Sequence, residues 1–490
     1  MTGIYLGIDI GTSAVKALLA DEEQRVLAEA TEELSISRPH PLWSEQDPED
    51  WWSAVVTVVT ALRRAAPDRF AAIRGVGLSG QMHGAVLLGR DRAVLRPAIL
   101  WNDGRSHEQC AALEQKVPQL GTIAGVLAMP GFTAPKLLWV AQHEPEIFAR
   151  IGAVVLPKDY VRFRLTGELA TDVSDAAGTL WLDEAARGWS AEILAATGMS
   201  VAQMPRLVEG SQSSAYVSPG IAREWGMGSD VVVAGGGGDA AAGAAGIGAV
   251  SSGDAFVSLG TSGQYFVTTA AYRPFPQAFV HAFCHAVPDR WYQMAALLNG
   301  ASCLAWAAKL IGSDDVGALL ARVEANYRRA GSLIFLPYLT GERTPHNDPY
   351  ARGVFFGLGA ETSTEALIQS VLEGVALSLA EAQDCLAAAG TTVERVAAIG
   401  GGSRSRLWMR ILASALDRPV VLYQEGAKGP AYGAARLARL AVTGEPVGDV
   451  CSAPRVSEVV EPDPARVDAY RALGERFRRL YRTLKPEFRA

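Results

Sequence analysis

A short strand that ends in Gly-Thr-Ser occurs twice in this chain of 490 residues, and the two triplets lie 249 residues apart. The first is Gly11-Thr12-Ser13 and the second is Gly260-Thr261-Ser262. A pattern that recurs at about half the length of a chain is typical of two related structural units. We therefore predict two domains, 1–248 and 249–490.

Strand and helix patterns alternate along the rest of the chain. The stretch after Asp47 opens with Pro and acidic residues, and Trp51, Val55 and Leu62 then follow at helical spacing. This spacing indicates a helix with one buried face. A strand pattern comes next, over residues 73–80. The alternation predicts an α/β fold.

The charge and the apolar content exclude several classes of protein. Asp and Glu number 52 against 45 Lys and Arg, so the net charge of -7 gives no general attraction to nucleic acid or anionic lipid. Hydrophobic residues make up 49%, which is incompatible with a disordered chain. The five cysteines lack zinc-site spacing, and a strand pattern starts at Gly3 without a secretion leader. We predict a globular cytoplasmic protein with no nucleic-acid or membrane partner.

Four glycine-dense segments follow strand patterns. Glycine frees backbone amides to bind phosphate oxygens, especially where a helix begins. There is no GxxxxGK[ST] P-loop, and no GxGxxG follows the first strand. Each segment alone is also explained as a tight turn, but four in one chain favour a bound nucleotide. The segments are Gly11 to Ser13, Gly235 to Asp239, Gly260 to Gly263, and Gly400 to Ser403.

Two aspartates lie beside these segments. Asp9 ends the first strand, and Asp239 follows four glycines. A carboxylate among phosphate-binding amides is costly unless it meets a cation or a proton. Asp9 suits Mg²⁺ binding through water, and Asp239 suits a general base that takes the proton from an attacking hydroxyl. The alternative for Asp239 is an N-cap of the Ala-rich helix that follows it.

Two further segments suit the binding of a small polyol. Gln81, Met82 and His83 follow a strand pattern, and Trp101 and Asp103 place an aromatic face beside a carboxylate. The alternatives are structural. They are a histidine held in the core, and a packed Trp next to an Asp/Arg pair on the surface.

Together these segments resemble the FGGY family of carbohydrate kinases over nearly the whole chain. The resemblance is carried by YLGIDIGTSAVKALL, GLSGQMHG, LWNDGR, LPKDYVRFRLTGELATDVSDAAGTLWLD, GGGGDAAAGA, SLGTS, YLTGERTPHNDPYARGVFFGL and IGGGSRSRLW. It implies two actin-like (ribonuclease H-like) ATPase domains with a central cleft that binds ATP and Mg²⁺. The N-terminal domain would bind the sugar and the C-terminal domain the ATP.

The resemblance also assigns roles to single positions. Asp239 corresponds to the catalytic base, and Asp9 to the acidic residue at the phosphate and the metal ion. Thr261 corresponds to the γ-phosphate side of the site. The predicted acceptor residues are Gln81, Met82, His83, Trp101 and Asp103, and the predicted ATP residues are Thr12, Ser13, Gly260, Thr261, Gly401, Gly402 and Ser403.

One position departs from the family pattern. Members that phosphorylate xylulose carry Asn directly after the catalytic Asp, where its amide helps to hold the sugar, whereas this chain has Ala240. Loss of the amide leaves a sugar hydroxyl without its partner, which alters selectivity. The implied activity is ATP-dependent phosphorylation of D-xylulose at its 5-hydroxyl. The alternatives are another ketopentose or pentitol, such as ribulose or ribitol, and a non-catalytic actin-like sugar sensor.

Some charged residues have no assigned catalytic role. Lys158, Asp159 and Asp175 strengthen the resemblance without a stated function. The charged turn Glu342-Arg343 is predicted to form an interdomain salt bridge, and Ser403 to be the N-cap of a helix. A homodimer is expected from the resemblance alone.

Overall fold

A computed structural model describes residues 3–424 and 428–489, and its first half is built around one sheet. The strands are β1 (Ile4–Ile10), β2 (Ala14–Asp21), β3 (Val26–Glu33), β4 (Ile73–Gly80), β5 (Ser213–Tyr216), β6 (Val232–Ala234) and β7 (Gly237–Gly238). They lie in the order β5-β6-β4-β1-β2-β3, and β7 also pairs with β4.

The second half is built around another sheet of seven strands. They are β8 (Ala255–Leu259), β9 (Gly263–Thr269), β10 (His281–Cys284), β11 (Trp291–Leu297), β12 (Val396–Ile399), β13 (Val420–Tyr423) and β14 (Val456–Val460). Their order is β10-β11-β9-β8-β12-β13-β14.

The two sheets share one topology. The first strand of each, β1 or β8, is antiparallel to the next strand and parallel to a later one, β4 or β12. Beyond these follow a second parallel strand, β6 or β13, and an antiparallel edge strand, β5 or β14. Each Gly-Thr-Ser therefore forms the turn after the first strand of its sheet, which is the relation between the halves that the recurrence predicts.

The longer helices surround these sheets. They are α1 (Pro48–Ala65), α2 (His107–Lys116), α3 (Thr133–His143), α4 (Pro157–Thr166), α5 (Asp239–Ile247), α6 (Ser302–Leu310), α7 (Val316–Asn326), α8 (Thr364–Ala388), α9 (Arg406–Leu416), α10 (Gly429–Thr443) and α11 (Pro464–Leu484). Shorter helices span Pro67–Phe70, Leu120–Ile123, Pro145–Phe148, Val173–Ala176, Ala191–Ala196, Pro219–Trp225 and Val447–Val450.

Small two-stranded ribbons account for the remaining described strands. The paired strands are Glu45–Gln46 with Ala98–Ile99, Val86–Gly89 with Ile151–Val155, Ala170–Asp172 with Arg206–Val208, Leu182–Asp183 with Gly188–Trp189, and Ile334–Leu336 with Val354–Phe356. Within residues 3–424 and 428–489, no helix has both the length and the apolar character needed to cross a bilayer.

Helix α1 forms where the sequence predicts it. The Asp47 side chain accepts a hydrogen bond from the backbone N–H of Glu49 at 3.0 Å and so caps the helix. Trp51, Val55 and Leu62 are buried against the first sheet. The prediction for this element, a capped helix with one buried face, is confirmed.

Helix α9 begins later than predicted. Its N-cap is Ser405, whose hydroxyl accepts from the N–H of Trp408 at 3.3 Å. The predicted cap, Ser403, lies in the 3₁₀ turn Gly401–Arg404, and its hydroxyl donates to the carbonyl of Gly400 at 2.7 Å. The prediction for Ser403 is wrong because this extra turn separates the glycines from the helix.

Helix α10 belongs to the second half in sequence but packs against the first sheet. It contacts β1 and β4 and lies beside α5. A Cβ at Gly77 would lie 1.8 Å from the carbonyl oxygen of Ala434, and one at Gly433 would lie 1.7 Å from that of Ala242. Only glycine permits backbones to approach so closely. The packing of α10 therefore joins the two halves.

Candidate active site

The carboxyl ends of three strands meet at one edge of the first sheet. Asp9 of β1 is in register with Ser79 of β4, and Gly237 of β7 is in register with the same residue. Gln81 follows β4, and Asp239 follows β7 as the first residue of α5. Parallel pairing therefore brings together two aspartates and a glutamine that are far apart in the sequence.

Asp9 has a buried carboxylate oxygen without a partner. The residue is 9% exposed, and its Oδ1 forms no hydrogen bond to any residue that the structure describes. Burial, with a smaller contribution from the negative charge of Asp239, raises the pKa of Asp9 to about 7. A second carboxylate and an orphaned oxygen fit Mg²⁺, which proteins hold through one or two carboxylates and nucleotide phosphates. In the described part of the chain, no cluster of three or more His, Cys, Asp or Glu offers an all-protein metal site.

Asp239 is placed as a general base would be. Gly238 is the N-cap of α5, so the alternative role of Asp239 as the cap is wrong. Its Oδ1 accepts from the N–H of Ala240 at 2.7 Å. The side chain is open to solvent on one side, yet the surrounding protein desolvates it enough to raise the pKa of Asp239 to about 6. At neutral pH it is a carboxylate that is able to take a proton from a hydroxyl.

The backbone that leads into α5 is held at both ends. Arg162 of α4 donates from Nη1 to the carbonyl of Ala234 at 2.6 Å and from Nη2 to that of Gly235 at 2.5 Å. The N–H of Gly238 donates to Oγ of Ser174 at 3.2 Å. These bonds fix the position from which Asp239 projects.

Arg162 belongs to a fully buried charged cluster, which we define as Lys158, Asp159, Arg162, Asp172 and Asp175. Nζ of Lys158 lies 2.6 Å from Asp159, 2.9 Å from Asp172 and 3.1 Å from Asp175. Burial raises the pKa of Asp175 well above its usual range, although Lys158 opposes the shift. With Asp175 protonated, two cations face two carboxylates and the charges balance. The cluster therefore supports the segment before α5.

Gln81 and Thr12 bond to each other. Oγ1 of Thr12 donates to Oε1 of Gln81 at 2.9 Å, and Nε2 of Gln81 donates to Oε1 of Gln46 at 3.1 Å. The indole N–H of Trp101 donates to Oγ1 of Thr12 at 2.8 Å. The polar groups of Gln81 and Thr12 therefore orient the Trp101 ring, whereas Ser13 beside them is exposed.

Met82 and His83 extend the site away from α5. A Cβ at Gly238 would lie 2.8 Å from Cγ of Met82, so the two residues are in contact. Nδ1 of His83 lies 2.7 Å from the carbonyl oxygen of Gly178, and because a carbonyl only accepts, Nδ1 carries the proton. Burial lowers the pKa of His83 well below its usual value. The imidazole is therefore neutral, and its Nε2 is a hydrogen-bond acceptor.

The carboxylate of Asp103 is paired within the protein. It accepts from Nε of Arg105 at 2.9 Å, from Nη2 of Arg105 at 2.7 Å, and from the N–H of Ser44 at 2.6 Å. The Arg105 guanidinium lies over the ring of Trp43, 3.6 Å from its centroid. The pair is buried rather than on the surface, so Asp103 reinforces the wall of the site.

A cavity of about 640 Å³ lies between the two halves. His83, Trp101 and Phe132 line it from the first half, and Arg343 and Tyr350 line it from the second. Among the described residues, Arg343 forms no ion pair and no side-chain hydrogen bond. The salt bridge predicted for it is therefore wrong, although its charge in a turn was the signal that could have assigned it to the cavity.

The predicted ATP residues lie at the matching edge of the second sheet. Gly260 and Thr261 follow β8, and the turn Gly401–Arg404 follows β12, which is parallel to β8. Gly400 has φ of +87°, and a Cβ there would lie 2.8 Å from the carbonyl carbon of Leu259. The two turns are therefore adjacent, and glycine is required where they meet.

The three residues predicted for adenosine have different surroundings. A Cβ at Gly401 would meet no atom within 4 Å, so its backbone is open to a ligand. Gly402 is buried, and a Cβ there would lie 2.8 Å from Cβ of Leu259. Ser403 stabilises the turn through its hydrogen bond to Gly400. The open glycine and the two supporting residues form a turn suited to a phosphate or nucleoside.

The fold and the site together define a class of protein. The two β-sheets have the same topology, and strands of each end in glycine turns. Two carboxylates lie at one edge of the first sheet, and a cavity separates the halves. These are the features of a two-domain ATPase fold in which a nucleotide and an acceptor meet between the halves.

Comparison with known proteins gives the family. Residues 4–246 and 255–442 match the N-terminal and C-terminal domains of the FGGY family of carbohydrate kinases. A xylulose kinase of Escherichia coli K12 is 50% identical over 486 residues, 99% of each chain. Similar crystal structures are a xyloylose kinase from Brucella ovis, with TM-score 0.96, 50% identity and 99% of each chain covered, and a xylulose kinase from Rhodospirillum rubrum, with TM-score 0.93, 31% identity, 99% of this chain and 100% of that one.

The chain therefore belongs to the FGGY family of carbohydrate kinases. The predicted family and the predicted actin-like, ribonuclease H-like fold are confirmed. Membership implies ATP as the phosphoryl donor.

Proposed function

We propose that this protein phosphorylates D-xylulose at its 5-hydroxyl with ATP. The observation that carries the proposal is the position of Asp239, a carboxylate whose charge acts on Asp9 and whose neighbour Gly238 contacts Met82, the residue before His83 in the lining of the interdomain cavity. Its 50% identity to a xylulose kinase over 99% of the chain supports the choice of acceptor. Residues 1–248 would form the sugar-binding domain and 249–490 the ATP-binding domain.

Asp239 acts as the general base in this proposal. It accepts the proton of the 5-hydroxyl as the oxygen attacks the γ-phosphorus. The N-terminus of α5 stabilises the ionised carboxylate. The hydrogen bonds of Arg162 and Ser174 to the backbone before α5 hold this carboxylate in position toward the acceptor. Closure of the halves would exclude water, so that the hydroxyl rather than water receives the phosphoryl group.

The glycine turns hold the donor. Backbone amides at Thr12, Ser13, Gly260 and Thr261 face the phosphate side, and the turn at Gly401 faces the adenosine side. Bound Mg²⁺ would neutralise developing negative charge on the phosphates. Asp9 is the residue that would hold the ion, with Asp239 beside it.

The acceptor contacts Met82 and His83. The thioether packs against the carbon chain of the sugar, and Nε2 of His83 accepts from a hydroxyl. Trp101 borders the same space, while Gln81 and Asp103 support it from behind.

A coupled ATP assay over a panel of acceptors tests the proposal. We expect the highest kcat/KM with D-xylulose among D-xylulose, D-ribulose, xylitol, D-arabinitol and ribitol. Asp239→Asn should bind ATP and acceptor but turn over about 10² to 10⁴ times more slowly. The matched control Asp230→Asn, at an exposed position, should retain activity. Normal turnover in Asp239→Asn would remove this residue from the mechanism.

A second acceptor class is favoured by Ala240. This residue cannot supply the amide found in xylulose-phosphorylating members, so ribulose or a pentitol is the alternative acceptor. The same panel of acceptors distinguishes a preference for D-xylulose from one for ribulose or a pentitol. ATP binding without formation of any sugar phosphate would favour the non-catalytic sugar sensor. The homodimer and the cytoplasmic location stay predictions.

A further inference from the structure

Arg343 is a cation that the proposed mechanism leaves unused. It reaches the cavity from the second half, opposite His83 and Trp101. Its neighbour Glu342 is engaged elsewhere, because Oε1 accepts from the N–H of Leu298 at 2.6 Å and from the N–H of Arg343 itself at 2.8 Å. The guanidinium therefore presents its donors to the cavity.

No residue that the structure describes forms an ion pair with Arg343, and the carboxylate of Glu342, whose charge acts on it, accepts hydrogen bonds from backbone N–H groups instead. His83 and His281 lie near enough for its charge to lower the pKa of each, after the larger effect of burial. Both imidazoles are therefore neutral. A partly desolvated guanidinium that has no protein acceptor favours a ligand that supplies one.

The order of the side chains shows which end of the acceptor meets Arg343. Asp239 follows Gly238, which contacts Met82, and Met82 lies next to His83. Phe132 is 4.4 Å from the His83 ring, between centroids, and lies on the same cavity wall. An acceptor whose reacting hydroxyl is at Asp239 thus directs its far end toward His83 and Arg343.

The chemistry of the acceptor limits what that far end can be. If the 5-hydroxyl of a 2-ketopentose closes onto C2, the resulting ring leaves that oxygen unavailable for phosphorylation. The reactive form is therefore the open chain, which has a free carbonyl at C2 and a hydroxyl at C1. A carbonyl oxygen only accepts hydrogen bonds, whereas a hydroxyl also donates.

We propose that Arg343 and His83 together recognise the α-hydroxyketone end of the acceptor. Arg343 donates to the C2 carbonyl oxygen, and the C1 hydroxyl donates to Nε2 of His83. This inference rests on the proposed function and deepens it, because it makes Arg343 the residue that selects ketopentoses over the alcohols formed by reducing C2.

Kinetics with matched acceptors test this role. Xylitol and D-arabinitol differ from D-xylulose only by reduction of C2. We expect Arg343→Met to lower kcat/KM for D-xylulose by at least about tenfold, through KM, because a hydrogen bond to a charged group is lost. The activity toward the two alcohols should change by less than about threefold, so the preference for ketose falls. KM for ATP should stay unchanged.

Arg352→Met is the control. Arg352 lies on the same segment but does not line the cavity, and its guanidinium donates to the backbone carbonyls of Pro349 and Ala351. It should keep the ketose preference. Arg343→Lys guards against misfolding, since it retains a cation, and we expect it to recover part of the preference.

Two outcomes would overturn the inference. The first is an unchanged ratio of ketose to alcohol activity in Arg343→Met, measured in a sample with the wild-type melting temperature. The second is a wild-type enzyme that prefers alcohols to every ketose, which would overturn the xylulose proposal as well. A wild-type preference for D-ribulose would reject only the xylulose proposal, and the Arg343 test would then be made with ribulose and ribitol.

Discussion

Asp9 combines a functional position with an unfavourable environment. Its buried Oδ1 lacks a partner among the described residues, and its pKa is raised to about 7. Because the folded state binds this proton more tightly than the unfolded state, the contribution of Asp9 to stability is present at low pH and is lost as pH rises from about 4 to about 7. The residue thus lowers stability at the pH at which an ionised carboxylate is needed.

Asp9→Asn should stabilise the ligand-free protein at pH 8 by on the order of 2–4 kcal/mol, since it removes a desolvated charge without changing the shape of the side chain. At pH 5 the difference should fall to less than half of this, because folded Asp9 is then protonated whereas the unfolded carboxyl, with its lower pKa, is still ionised. Urea denaturation at both pH values measures the effect. A variant that is less stable than wild type at pH 8 would contradict this account, and kinase activity should be lost in any case.

The pH dependence of turnover should follow the base. Because burial raises the pKa of Asp239 to about 6, we expect kcat to fall as pH decreases through 6 and to approach a tenfold loss per pH unit below it. A pH–rate profile at saturating ATP and acceptor measures this limb. A profile that is flat down to pH 5 would show that Asp239 does not act as a base with a raised pKa.

At the scale of single elements, the charged cluster around Lys158 and Arg162 works through the segment that precedes α5. Arg162 bonds two successive carbonyls in a planar geometry that a lysine ammonium cannot reproduce. Because none of the cluster residues lines the cavity, the effect of the cluster on catalysis is one of positioning.

Arg162→Lys should therefore lower kcat by about 10- to 100-fold while changing KM for ATP little, since a small displacement of a base is costly. A shift of the acid limb of the pH–rate profile would distinguish loss of position from general instability. Arg164→Lys on the same helix, where Arg164 pairs with Glu49 at the surface, is the control and should be nearly neutral. Equal kcat in both variants would contradict the positioning role.

The glycines of α5 and α10 make a second prediction at this scale. Gly433→Ala would place a Cβ 1.7 Å from the Ala242 carbonyl oxygen and should destabilise the protein by about 1–3 kcal/mol or more. Gly243→Ala in α5 meets open space and should stabilise it by about 0.5–1 kcal/mol, because alanine favours helix. Chemical denaturation measures the free energy of unfolding of both variants. Equal values would show that the close approach at Gly433 does not limit the size of this residue.

At the scale of the whole molecule, α10 makes the halves interdependent. It is encoded in the second half and covers β1 and β4 of the first sheet. A fragment that ends at residue 248 would leave this apolar face exposed.

We expect residues 1–248 expressed alone to aggregate or to unfold without cooperativity, and coexpression with residues 249–490 to restore a stable complex. Size-exclusion chromatography and thermal unfolding by circular dichroism measure this. A monomeric 1–248 fragment with a sharp unfolding transition would show that the first half does not depend on α10.

Local signals in the chain were sufficient to predict the α/β class, the related halves, the capped helix α1 and the neighbourhood of Asp9 and Asp239. Each of these features depends on residues that are close in sequence, as strand patterns, glycine turns or apolar spacing. Asp9 and Asp239 are brought together because parallel strands have their carboxyl ends at a common edge. The partners of side chains are different, because they depend on residues that are distant in sequence. Only the tertiary structure paired Gln81 with Thr12, Asp103 with Arg105 and Arg162 with the carbonyls before α5, and only it left Arg343 unpaired in the cavity and laid α10 across the first sheet.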